Sequence, residues 1–145
     1  MTLHLIKLSV GVDDVEHLAR IQAKRLADAR RQGVAPELRH VTRNTPRQAD
    51  AILDGGSIYW VIKGFIRARQ RIVAIRRFDR RDDRPACALV LDPKLVRTEL
   101  RNFRPFQGWR YLAAASAPPD APVGRGATGE VPTAMVEELK NLGLI

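Results

Sequence analysis

The chain has 145 residues, 45% of them hydrophobic, and a net charge of +9 from 25 basic and 16 acidic residues. That length fits one domain able to bury a core. No stretch reaches the roughly 20 apolar residues of a membrane span, and the lone Cys87 excludes an internal disulfide. Among the basic residues only Lys7, Lys24, Lys63, Lys94 and Lys140 are lysine. An arginine-dominated surplus of this size favours polyanion partners, because the planar guanidinium pairs with phosphate in two places and stacks on bases.

Leu3 to Val10 alternates imperfectly and reads as a strand. His4 and Lys7 interrupt its apolar run and no small-residue cleavage site follows, so it is a poor signal peptide and a cytoplasmic protein is expected. Asp13 or Asp14 can cap a helix from Val15 to Arg31, whose apolar residues recur at helical spacing. Leu38 to Arg43 predicts a second strand. Thr45-Pro46 predicts a helix start, with the helix running from Arg47 to Leu53 and stopped by Gly55-Gly56.

Ser57 to Ile62 reads as a strand that Gly64 breaks or bulges. Further strands are expected over Arg69 to Arg77, Ala86 to Leu91, Leu95 to Leu100 and Gly108 to Leu112, with a charged turn from Asp79 to Pro85. Residues 113–132 are rich in Ala, Pro and Gly and predict an irregular segment. Thr133 can cap a last helix from Ala134 to Leu142. That helix docks on the core or on a partner copy, which leaves a homodimer open. Early helices and late strands, without strand–helix alternation, predict an α+β fold. Its mixed or antiparallel sheet is expected to curl into a small barrel. The organisation is a domain over 1–112, the irregular segment, and a helical tail over 133–145.

No metal or cofactor is expected. His4, His17 and His40 are far apart, and Asp79, Asp82 and Asp83 are interleaved with arginines. The Gly55-Gly56 pair follows a helix and enters a strand, the reverse of a phosphate loop. No complete catalytic set is present; Ser57 meets His40 only if the fold brings them together.

The few aromatics carry more information. Tyr59 and Trp60 are neighbours on one strand and face opposite sides; Trp109 and Tyr111 are two apart and share a face. Trp60, Trp109 and Tyr111 are therefore candidates to line a pocket where a base stacks. Arg43, Lys63, Arg67, Arg69 and Arg71 are candidates to hold the phosphates.

Several strings resemble the alphaproteobacterial family called domain of unknown function 1489: His4 to Leu8, Arg39 to Arg43, Leu53 to Gly64, Ala68 to Ile72, Val90 to Pro93 and Phe106 to Leu112. That resemblance implies no activity. The stretch from Pro46 to Gly56 is similar to the ASCH branch of the PUA-like superfamily, which implies a small curled barrel. Ser57 stands where the ASCH lysine is expected, and Trp60 or Val61 near its glutamate. These departures tell against ASCH-type hydrolysis. The related EVE domains imply aromatic side chains holding a modified base, a role open to Trp60 and Trp109.

The expected function is thus a non-catalytic module that binds RNA or a modified base, with no membrane partner. Two alternatives remain. One is a nucleoside-directed hydrolase using His40, Ser57 and Lys63. The other is a basic protein-interaction module.

Overall fold

The computed structural model describes residues 2–122 of the chain. The expected helix over 134–142, and residues 123–132 of the irregular segment, lie outside them. Seven strands and two helices are formed among the described residues: β1 (Leu3–Leu8), α1 (Val15–Arg31), β2 (Leu38–Thr42), α2 (Ala49–Leu53), β3 (Ser57–Ile62), β4 (Phe65–Asp79), β5 (Pro85–Leu91), β6 (Val96–Asn102) and β7 (Trp109–Ala113). The α+β class and the mixed sheet follow the sequence reading.

The strands lie in the order β2-β5-β4-β3-β1-β7, with β6 added on β4. Only β1 and β3 pair in parallel. The long strand β4 organises this sheet. Its first half pairs with β3 on one side and β6 on the other, and its second half pairs with β5. The expected strand began only at Arg69, because two arginines and a glutamine hide the apolar pattern of residues 65–70. Gly64 does not bulge a strand. Lys63 and Gly64, with φ of 51° and 81°, make the two-residue turn that reverses β3 into β4.

Register shifts leave Arg67 and Val73 as extra residues on β4, opposite β3 and β5 respectively. Such bulges bend and twist a strand, and they carry β4 from one part of the sheet into the other.

The curl stops short of closure, and here the expected barrel is corrected. β2 and β7 remain edges, each paired on one side only. Two bonds involving side chains span the gap. Trp109 Nε1 donates to the Asn44 carbonyl at 3.1 Å, and the Gln48 backbone N–H donates to the Tyr111 hydroxyl at 3.2 Å. Residues 43–48 are thereby held toward β7. The helix predicted from Arg47 begins only at Ala49, and Gln48 supplies no side-chain cap.

Apolar residues collect on both faces. The larger cluster joins Leu5, Ile58, Trp60, Ile62 and Ile72 of the sheet to Val15 and Leu18 of α1 and Leu89 of β5. The Asp14 carboxylate accepts from the His17 backbone N–H at 2.7 Å and fixes the start of α1. The smaller cluster on the other face holds Ile6, Tyr59, Val61, Ile66 and Leu112. Tyr59 and Trp60 therefore do face opposite sides.

Gly56 marks the tightest junction between α2 and the sheet. A Cβ at this position would overlap the backbone carbonyl oxygens of Leu3 and Ile52. Because backbone cannot step aside as a flexible side chain can, Gly56→Ala is expected to cost roughly 1–3 kcal/mol of stability. Urea unfolding of the variant beside the parent chain measures it.

Candidate functional site

A wide hollow opens at the gap between β2 and β7. It is a cleft of about 1050 Å³ walled by residues 41–47, the Arg77 and Pro85 end of the β4–β5 hairpin, and Gln107 to Trp109 and Tyr111. Among the described residues, its lining includes Lys7, Arg43, Arg47 and Arg77 and no Asp or Glu. Trp109 and Tyr111 stand on one face of β7, with ring centroids 5.1 Å apart and edge to face. Tyr111 is 37% exposed.

Several arginines outside the cleft are neutralised by carboxylates. Arg69 makes a two-point pair with Asp120 at 2.7 and 2.8 Å, and Arg76 one with Glu37 at 2.9 and 3.0 Å. Arg97 pairs with Glu16 and Arg31 with Asp28. Among the described residues, none of Lys7, Arg43, Arg47 and Arg77 is ion-paired. The cleft is thus one place where unneutralised positive charge collects.

Lys7 has a special place. In β1 it lies in register between Trp60 of β3 and Trp109 of β7. It shares the core-facing side of the strand with Leu5, and burial holds its ammonium below the ordinary lysine range. It also borders a second, smaller hollow of about 210 Å³ between α1, β1, β2 and β3. A lysine in step with Leu3 and Leu5 on an otherwise core-facing row was a readable signal for this position. Arg47 and Arg77 offered none, because their placement depends on the gap.

The sequence candidates divide between these surroundings. Arg43, Trp109 and Tyr111 meet at the cleft. Trp60 does not: it is 3% exposed, and its Nε1 donates to Gln70 Oε1 at 2.9 Å. Gln70 is fully buried and in turn exchanges two bonds with Gln22, at 2.7 and 2.8 Å, and donates to the Asp92 carbonyl at 3.0 Å.

Lys63 sits at the β3–β4 turn with its Nζ 3.4 Å from Asp13. Arg67 is buried, donating to the Ile62 and Lys63 carbonyls with its guanidinium over the Phe65 ring. Arg69 is committed to Asp120 and to the Ser57 hydroxyl. Arg71 is exposed on β4, opposite Ser57 in register and away from the cleft lining. Ser57 is buried, and its backbone N–H donates to His4 Nδ1 at 3.0 Å. His40 borders the small hollow, edge-on to Trp60 at 5.1 Å. His40, Ser57 and Lys63 therefore do not converge. Among the described residues no group of three or more His, Cys, Asp or Glu could hold a metal ion. No helix among them is long and apolar enough to cross a membrane.

The fold and cleft together define an α+β protein with an open, curled sheet and a cation-lined gap between its edges. The chain belongs to the family described as "Protein of unknown function (DUF1489)", whose sequence model matches residues 5–145. No curated protein and no solved structure matches it.

Two measurements check the buried polar groups. Gln70→Leu strands the Trp60 indole N–H and the Gln22 amide, and is expected to cost at least about 2 kcal/mol in urea unfolding.

His40 gives a pH dependence. Burial, then the charges of Lys7 and Arg25, lower its pKa from 6.5 to about 4. The unfolded chain binds the proton that the folded imidazole refuses, so stability is full above the ordinary imidazole range. It falls as pH drops from 6.5 toward about 4. The expected loss between about pH 7 and about pH 5 is roughly 2 kcal/mol. His40→Gln removes this share and leaves that of His4, whose pKa is also lowered by burial and then by Arg69.

Proposed function

We propose that the cleft between β2 and β7 binds single-stranded nucleic acid, RNA in particular, without catalysing a reaction. The observation that carries this reading is the cleft lining itself. It brings together Lys7, Arg43, Arg47 and Arg77 without a carboxylate, beside two aromatic rings on one strand face. Phosphates take the cations, and a base packs against Tyr111 or the open part of Trp109. Small-molecule pockets run to about 1,000 Å³, so a cleft of this size accepts more than one nucleotide. Basic side chains continue past its rim: Arg80 and Arg81 are exposed at the tip of the β4–β5 hairpin, beyond Arg77.

Arg67 and Arg69 are committed inside the protein, and Trp60 is sealed, so these three leave the proposed binding surface. The hydrolase reading loses support because its three residues lie apart. The interaction-module reading places assembly on the C-terminal helix, outside the described residues.

Fluorescence anisotropy with a short single-stranded RNA at several salt concentrations tests the proposal. Affinity is expected to fall steeply with salt. Arg43→Gln, Arg47→Gln and Arg77→Gln should each flatten the logarithmic slope by about one phosphate contact. Tyr111→Ala should weaken binding by about 1–3 kcal/mol through lost stacking. Lys63→Gln and Arg71→Gln should change little. An affinity indifferent to salt, or equal losses from Arg71→Gln and Arg43→Gln, overturns the reading.

A further inference from the structure

The small hollow has a different chemistry from the cleft it adjoins. Its lining combines apolar side chains, Leu18 and Ile21 of α1 and Trp60, with Lys7, Arg25 and His40, and among the described residues it includes no Asp or Glu. Among the described residues, His40 Nε2 is the one buried side-chain nitrogen or oxygen without a hydrogen-bond partner. Buried polar atoms are almost always paired, so an unpartnered nitrogen on a residue that borders a hollow points to a group that would complete it.

We propose that this hollow binds a small carboxylic acid with an apolar body, its carboxylate among Lys7, Arg25 and His40 and its hydrocarbon against Leu18, Ile21 and Trp60. An inorganic anion would leave the apolar side chains unused. A neutral hydrocarbon would leave the Lys7 and Arg25 charges on the lining without a counter-charge. Size agrees with the choice: a cavity of about 150 Å³ holds benzene, and this one, at about 210 Å³, has room for a ring and one carboxylate. The site stands apart from the nucleic-acid reading and does not require it.

Occupancy has an electrostatic signature. Lys7 reaches His40 from β1 and Arg25 from α1, and both disfavour the imidazolium. Arg39, its neighbour on β2, also borders the hollow and pairs with Glu37. Trp60 of β3 adds no charge. A bound carboxylate offsets the two cations and accepts from the imidazole, so His40 takes up its proton at higher pH when the site is filled.

The test follows the His40 imidazole by NMR in the full chain during titration with benzoate, benzamide and acetate. Benzoate is expected to bind saturably and to move the His40 midpoint up by about one pH unit. Benzamide lacks the charge and acetate lacks the ring, and each should bind at least about tenfold more weakly. Arg25 is exposed and has no ion pair among the described residues, so Arg25→Gln keeps the fold, and benzoate affinity should drop about tenfold. Three results each overturn the proposal: benzoate that leaves the His40 midpoint unmoved, benzamide that binds as tightly as benzoate, or unchanged benzoate affinity in Arg25→Gln.

Discussion

The side-chain amide of Gln70 is the constraint on which the interior depends. It is wholly buried on β4, yet every one of its hydrogen-bonding sites is used: the oxygen accepts from Trp60 and Gln22, and the nitrogen donates to Gln22 and the Asp92 carbonyl. Four parts of the chain are thereby fixed to one point, namely β3, α1, β4 and the connection after β5. A polar group sealed from water is tolerable only when fully paired. Alternative packings of α1 on the sheet that break the Gln22 contact are penalised accordingly. The same network decides which tryptophan can face the cleft between β2 and β7. Trp60 spends its one donor inside, whereas Trp109 spends its donor on a carbonyl at the sheet edge and keeps part of its ring open.

Charge is distributed on a similar principle. Basic residues outnumber acidic ones, 25 to 16, and three of the arginine–carboxylate pairs join residues far apart in the chain. Arg69 and Asp120 are 51 residues apart, Arg76 and Glu37 are 39, and Arg97 and Glu16 are 81. Exposed pairs of this kind add little stability. Their effect is to neutralise those arginines, whereas Lys7, Arg43, Arg47 and Arg77 at the cleft have no ion pair among the described residues.

Much of this fold was readable because it is local. The apolar run from Ala86 to Leu91, the helical spacing from Val15 to Arg31 and the Ser57 to Ile62 strand are patterns within one element, and each formed close to its expected bounds. The facing of Trp109 with Tyr111 came from the two-residue period of a strand. What was hidden depends on contacts between distant residues. Arg67 looked like a surface cation, but the Lys63-Gly64 turn puts two carbonyls beside its guanidinium. Gln22 and Gln70, 48 residues apart, meet only because the fold brings α1 to β4. Closure of the sheet turns on whether β2 and β7 meet, which no pattern within either strand encodes.

The opening between those edges is spanned by one indole N–H and one phenol oxygen rather than by a ladder of backbone bonds. Separating two paired strands breaks several amide bonds in concert. Here, among the described residues, two direct ties cross it, each worth about 0.5–1.5 kcal/mol net. The width of the mouth is therefore a soft coordinate in an otherwise stiff scaffold. The β-sheet can keep its register while its rim flexes around guests of unequal bulk.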